Sequence, residues 1–277
     1  AARSLPVRPS APVLAGLLIE AGEEGLVLSA FDYETSARAE IRADVSAEGR
    51  VLVSGRLLAD ICRSLPSKPI DFELSGPKLE LKCGSGRFSL QTMPVDEYPT
   101  LPTVPAASGV VSGDEFANAV AQAVTAAGRD DMLPVLTGVR IEIEGDRMSL
   151  LATDRFRLSH RELTWRPAAT DASLAALVPA KVLSDTAKTL SGDVTISISS
   201  AGGDGIIGFE GSGTDGARRT TTRLLDGDFP KVRSLFPAEH LTIATVNKSD
   251  LIDTVKRVAL VAERNTAVQM KFADGEI

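Results

Sequence analysis

The stretch LLATDRFRLSH, residues Leu150 to His160, sets one carboxylate, Asp154, between a threonine and two arginines, with a histidine a few residues on. A carboxylate and an imidazole are the raw material of acid–base hydrolysis, but that chemistry needs an acid, base or nucleophile held in place by a partner group. Asp32, in FDYETS, stands at a matching place earlier in the chain, without the arginines and without a histidine. An aspartate that recurs at a strand end while its neighbours change reads as a turn residue whose oxygens take up backbone N–H groups. His160 and His240 have no counterparts and read as surface residues, so no catalytic set assembles. A hydrolytic or carbohydrate-active enzyme using Asp154 with a second carboxylate is the competing interpretation.

Other candidate chemistry fares no better. The glycine-rich run SAGGDGIIGFEGSGTDG, Ser200 to Gly216, lacks the Lys-Ser/Thr and the strand-to-helix context of a phosphate loop, and reads as a flexible hairpin. Cys62 and Cys83 form no CxxC or Cys/His cluster, which argues against a zinc site or a disulfide framework and for two reduced, buried thiols. No cofactor or metal is expected. There is no apolar run long enough for a membrane helix, and AARSLPVRPS lacks the apolar core of a signal peptide, so a cytoplasmic protein is expected.

The basic residues carry more information. Arg56 and Arg63 stand seven apart, as do Lys181 and Lys188, and the two pairs are offset by 125 residues. Seven residues make two helical turns, so each pair shares one helix face, opposite the stripes Leu58, Ile61, Leu65 and Leu183, Thr186, Leu190. The net charge of −7 disfavours tight nucleic-acid binding by the chain as a whole. A repeated basic face could still hold phosphates loosely and without sequence preference, in a field kept modest by Asp60 and Asp185 on the same helices.

These residues are positioned by a duplication. PVLAGLLIEAGEEGLVLSAFD, Pro12 to Asp32, aligns without a gap on PVLTGVRIEIEGDRMSLLATD, Pro134 to Asp154, at a spacing of 122. The likeness continues from VLVSGRLLADICRSL to ALVPAKVLSDTAKTL and from DEYPTL to GDFPKV, with the offset growing as loop insertions would make it. SGDEFANAVAQAVTAAGRD, Ser112 to Asp130, returns as NKSDLIDTVKRVALVAERN, Asn247 to Asn265, each opening on a capping-box pattern (Ser112 with Glu115, Asn247 with Asp250) and ending on an arginine. That gives three copies, at residues 1–107, 108–238 and 239–277. The first lacks most of its opening helix and the third stops early, so the chain reads as a fragment of a three-domain chain.

Within a copy the pattern predicts an amphipathic helix, two or three strands, a second helix and three more strands. The alternation in Ala37–Ala43 and Val194–Ile198 marks half-buried antiparallel sheet, and EGDR and ADGE mark hairpin turns. The fold class is α+β. Proline-rich Thr92–Gly109 and Leu224–His240 read as extended interdomain linkers.

With PVLTG, ATDRFRL, VPAK and DFPKVRSLFP in this order, the chain resembles the bacterial sliding-clamp family, the beta subunit of the DNA polymerase III holoenzyme, in an actinobacterial form. The resemblance implies a DNA-clamp fold with sheets outside and two helices per domain inside, forming a ring of two chains around duplex DNA. It implies a non-catalytic processivity factor that tethers polymerase, clamp loader and repair proteins through linear peptides. The implied peptide groove falls on Leu136, Thr153, Arg155, Phe156, Arg157, Leu158, Pro230 and Leu235, and the DNA-facing set on Arg8, Arg56, Arg63, Lys181 and Lys188. Many members carry Gly-His where this chain has Arg155-Phe156, which implies a bulkier, more basic groove mouth. A second-copy clamp resistant to a groove-binding inhibitor is the alternative within the family.

Overall fold

The computed structural model describes residues 5–6, 9–199, 205–212, 216–237, 239–263, 266–273 and 275–277. The chain divides into two compact units, Ala1–Pro230 and Lys231–Ile277.

The first unit holds two related sets of elements. The first set is β1 (Gly16–Gly22), β2 (Gly25–Phe31), β3 (Thr35–Ile41), β4 (Gly49–Ser54), α1 (Gly55–Ser64), β5 (Asp71–Ser75), β6 (Lys78–Cys83) and β7 (Gly86–Met93). The second is β8 (Gly109–Ser112), α2 (Gly113–Ala123), β9 (Gly138–Glu144), β10 (Arg147–Thr153), β11 (Leu158–Thr164), β12 (Arg166–Pro167), β13 (Ser173–Pro179), α3 (Ala180–Ala187), β14 (Ser191–Ser199), β15 (Ile206–Ser212) and β16 (Ala217–Arg223). All pairings between these strands are antiparallel.

Four strands, rather than two or three, precede α1, because β4 runs straight into the helix and β13 does the same ahead of α3. Val51, Leu52 and Val53 are all buried, as are Ala176, Leu177 and Val178. A strand buried on both faces has no period-two pattern, which is why the sequence merged it with the helix.

The two sets join through one pairing. β16 lies antiparallel to β3 with Arg218 opposite Ala39, Thr220 opposite Ala37 and Thr222 opposite Thr35, which makes one sheet of twelve strands across both copies. β11, β10, β9 and β13 form a separate four-stranded sheet with β11 at its edge. The matching glycines Gly16 and Gly138 begin β1 and β9, and a Cβ at either would collide with a leucine, Leu52 or Leu177.

The second copy has the larger core. α2 packs on β10, β11 and β14 and against α3, and buries Phe116, Ala119, Val120 and Ala123. Phe116 meets Phe209 of β15 with ring centroids 5.7 Å apart. In the first copy no described helix takes the place of α2, and Phe72 and Leu74 of β5 are exposed. Its core, around Leu17, Ile19, Leu58, Leu81 and Leu90, is correspondingly smaller.

Several local expectations need correction. Asn247 caps α4 (Lys248–Ala259) by accepting from the N–H groups of Ser249 and Asp250, but the Ser112 side chain makes no cap bond; Ser112 ends β8, held in the ladder opposite Asp193. Cys83 is buried whereas Cys62 is exposed, because α1 fully buries only Gly55 and Leu58. His160 is half-buried in β11 opposite Leu151, while His240 is exposed. The first linker is no free spacer: Val95 and Tyr98 pack on the cluster of Val13, Leu14, Leu18 and Leu52. Burial pushes the Tyr98 phenol up to about 12. Arg8 and Arg264 lie outside the described residues.

The contrast between the cores is testable by urea unfolding. Phe209→Ala should cost about 3 to 5 kcal/mol, lowering the midpoint with an unchanged slope. Phe72→Ala, on the exposed strand, should cost less than about 1 kcal/mol.

Candidate functional site

Two surfaces of the first unit collect the residues singled out by sequence. One is the turn between β10 and β11. Asp154 Oδ1 accepts from the backbone N–H groups of Phe156 at 3.1 Å and Arg157 at 3.0 Å, and its Oδ2 takes the Arg157 Nε–H at 2.9 Å. The Thr153 hydroxyl donates to the Arg157 carbonyl at 2.8 Å and accepts from the Arg155 N–H at 3.2 Å. Asp32 repeats the device between β2 and β3, accepting from Glu34 at 3.0 Å and Thr35 at 2.7 Å. Tyr33 and Arg155, at the same place in the two turns, both have left-handed backbone, φ 73° and 79°. That conformation costs a residue with a Cβ roughly 1 kcal/mol, and the anchored aspartate offsets it. Asp154 is therefore a turn builder, as its recurrence implied.

The turn presents side chains outward. Phe156 is 89% exposed, and the Arg155 guanidinium sits 5.9 Å from its ring centroid. Arg157 is exposed and Leu158 half-buried, while Leu136 and Thr153 are buried. Thr153 is thus no free rim donor: its hydroxyl is spent inside the turn, where a reversing backbone leaves groups that need partners. Pro230, the last residue of this unit, is exposed. Leu235 belongs to the second unit, in the 3-10 turn Arg233–Leu235, and is 70% exposed. Sequence gave no sign of the left-handed arginine; glycine is the usual residue there.

Burial by itself would raise the Asp154 carboxyl, but the hydrogen bonds from Arg157 and from the Phe156 and Arg157 N–H groups outweigh it and hold the group below its ordinary value of 3.8.

The other surface is a trough of about 770 Å³ between α1 and α3, floored by β3 and β16. Arg63, Lys181 and Lys188 line it together; Arg56, on α1, does not, and gives one N–H to the Pro6 carbonyl at 3.2 Å. The modest field expected from the repeated acids has a concrete basis. Arg63 pairs with Asp60 at 2.5 Å and Lys181 with Asp185 at 3.1 Å. Arg38, Arg218 and Arg219 also line the trough, and they come from the strands β3 and β16 rather than from helix faces; the run ARRTTTR on β16 is the mark that two of them leave in the sequence. Among the described residues no group of three or more His, Cys, Asp or Glu side chains could hold a metal, and no helix is long and apolar enough to cross a membrane.

The turn yields a paired test. Asp154→Ala removes both backbone acceptor bonds and should cost about 1 kcal/mol, whereas Asp154→Asn keeps an acceptor oxygen and should cost less. Because folding depresses this carboxyl, its contribution is present above the unfolded value of about 3.8 and is lost as pH falls through the lower folded value. The stability difference between wild type and the Asn variant, followed by urea titration, should therefore shrink on acidification below about pH 4.

Three family models match in succession: the DNA polymerase III beta subunit N-terminal domain over residues 1–102, the central domain over 110–231 and the C-terminal domain over 233–277. The chain is 58% identical to the beta sliding clamp of Streptomyces coelicolor, covering 99% of this chain and 73% of that protein. It is 51% identical to the beta sliding clamp of Micrococcus luteus, covering 100% and 88%. Against the beta sliding clamp homolog GriR of Streptomyces muensis it is 45% identical, covering 100% and 73%. Among solved structures it shares its fold with the DNA polymerase sliding clamp of Bacillus subtilis, at a TM-score of 0.81 and 24% identity over 95% of this chain and 70% of that one. The Pseudomonas aeruginosa clamp bound to griselimycin aligns at 0.80 and 25%, over 94% and 70%. The Helicobacter pylori beta clamp bound to a DNA ligase peptide aligns at 0.79 and 20%, over 94% and 73%. With all three domain models matched in order and actinobacterial relatives above half identity, the chain belongs to the bacterial DNA polymerase III beta subunit family, the sliding clamps.

Proposed function

We propose that the protein is a non-catalytic processivity clamp of the cytoplasm, which encircles duplex DNA and tethers polymerase subunits, the clamp loader and repair proteins by short linear peptides. The observation that carries this reading is the junction of β3 with β16, the means by which one domain copy continues its sheet into the next. β11, which follows the Asp154 turn as β3 follows the Asp32 turn, has β10 on one side and no described strand on the other. β7 is paired with β4 only at Thr92 and Met93. A head-to-tail dimer of such three-domain chains would close a six-domain ring and leave no unpaired sheet edge at its subunit joints. We place the three domains at residues 1–107, 108–238 and 239–277.

Arg8, Arg56, Arg63, Lys181 and Lys188 form the DNA-facing set in this reading, holding phosphates weakly while topology does the retaining. On a circular duplex the loaded protein should stay bound and then leave when the circle is cut; retention on a linear duplex with free ends would overturn the ring. Neutralising the five residues should reduce loading and flatten its salt dependence by no more than about five units of log–log slope.

The peptide groove is assigned to Leu136, Thr153, Arg155, Phe156, Arg157, Leu158, Pro230 and Leu235, for peptides carrying a glutamine followed by paired hydrophobic residues. Within the first unit, support comes from the exposed Phe156 with Arg155 and Arg157 beside it, since a few apolar anchors with polar neighbours concentrate the energy of small interfaces. Leu235→Asp should cost roughly 2 to 4 kcal/mol of peptide binding by calorimetry, with the melting temperature nearly unchanged. Unaltered affinity would place the groove elsewhere.

A second-copy clamp with a groove that resists an inhibitor is the other reading. It draws on the likeness to GriR and on the bulky Arg155-Phe156 pair; the higher identity to the two beta sliding clamps favours the first.

A further inference from the structure

We propose that residues 98–105 of the first linker form a rigid strut that locks the joint between the two domain copies, a polyproline-II rod seated across the twelve-stranded sheet on the face away from α1 and α3. Pro99, Pro102 and Pro105 recur every third residue, and so do Tyr98, Leu101 and Val104 beside them. Burial keeps the same period: those six residues are half-buried, whereas Thr100, Thr103 and Ala106 are exposed. Residues 99–108 hold no strand or helix. A polyproline-II helix turns once in about three residues, so the same side of the segment meets the protein at every turn while another stays in solvent.

The sheet supplies a track for such a rod. Phe31, Ser36, Thr221, Gly208 and Ser197 stand opposite one another in turn on β2, β3, β16, β15 and β14, and all five are buried. Ala37 and Thr220 line the trough under the helices, so Ser36 and Thr221, one place along each strand, face the other way. The linker is what covers them: a Cβ on Gly208 would come within 2.9 Å of the Val104 side chain, and Tyr98 packs on Leu14, Leu18 and Leu52. Small residues at four of the five positions leave the depth that the rod fills.

The lengths agree. From Tyr98 to Val104 a polyproline-II rod rises about 19 Å, at about 3.1 Å per residue. Tyr98 rests on β1 and Val104 on β15, four strand spacings apart along β1-β2-β3-β16-β15, and at about 4.8 Å each these also come to about 19 Å. The rod therefore runs square across the strands and over the joint. Its far end is pinned to the second copy: Ser108 donates its N–H to the Ile196 carbonyl at 2.8 Å, and its hydroxyl oxygen accepts from the Ile198 N–H at 3.0 Å.

The joint is where a brace acts. β3 and β16 meet over five residue pairs, and on this face the side chains that touch across them are two hydroxyls, Ser36 and Thr221. A single ladder fixes the spacing of two strands but leaves their mutual twist adjustable. A proline-rich rod is stiff over several residues, so one anchored on both copies resists that motion. The second linker has prolines seven apart, Pro230 and Pro237, with the 3-10 turn Arg233–Leu235 between them, so it lacks the period of three and the brace belongs to the first joint. None of this rests on the clamp reading.

Hydrogen exchange followed by mass spectrometry on the whole chain tests the strut. Replacing Pro99, Pro102 and Pro105 together by glycine keeps Tyr98, Leu101 and Val104 but turns the rod into flexible chain. Amides of β3 and β16 should then exchange severalfold faster, while those of β9 and β10, in the other sheet, keep the wild-type rate. Unchanged exchange in β3 and β16 reduces the linker to a tether, and an equal rise in β9 and β10 makes its effect one on general stability; either result overturns the lock. Should the triple variant fail to fold, Gly208→Ala carries the test, since its Cβ is driven into Val104. It should speed exchange at the joint, and adding Val104→Ala should restore the wild-type rate. Exchange unmoved by Gly208→Ala, or not restored by the second substitution, overturns the seat.

Discussion

The pairing of β3 with β16 is the interaction on which the rest of the first unit depends. Each copy alone would expose an unpaired strand edge, which is a liability for any sheet protein. Antiparallel pairing across the copies removes two such edges, and it is reinforced by hydroxyl contacts between buried side chains: Ser36 with Thr221 at 2.6 Å and Thr35 with Thr222 at 3.2 Å. Hydroxyls suit this place because small side chains let the strands approach while each polar group finds a partner across the junction.

The same joint sets the geometry of both candidate surfaces. β3 begins just after the Asp32 turn, so the turn that reverses the chain also delivers the junction strand; β11 stands in the same relation to Asp154. In the first copy that strand is covered and in the second it is open among the described residues. One duplicated motif thereby serves two ends, a sealed joint and an exposed rim bearing Arg155 and Phe156. On the other face, joining the sheets sets α1 beside α3 across a floor of β3 and β16, which is what creates the trough.

Charge is distributed in keeping with weak retention of a polyanion. The repeated Asp60 and Asp185 each pair with a basic residue of their own helix, so the positive field of the trough is weaker than its basic residues alone would make it.

Much of this was legible in the sequence because a duplication offers its own control. Positions identical in both copies, such as Gly16 with Gly138 and Asp32 with Asp154, must answer to backbone geometry common to both, and the collisions at the glycines and the bonds to the aspartates are that geometry. Helical spacing likewise brought Lys181 and Lys188 of the α3 region to one trough, since side-chain direction on a helix follows from residue number, whereas Arg56 and Arg63, seven apart on α1, do not both line it. What sequence could not supply was anything decided by contacts between elements distant along the chain. The exposure of Cys62, the half-burial of His160, the spending of the Thr153 hydroxyl inside its turn and the arrival of Arg218 from a strand beside two helices all depend on which surfaces meet. Local pattern fixes which way a side chain points, but only tertiary packing decides what it finds there.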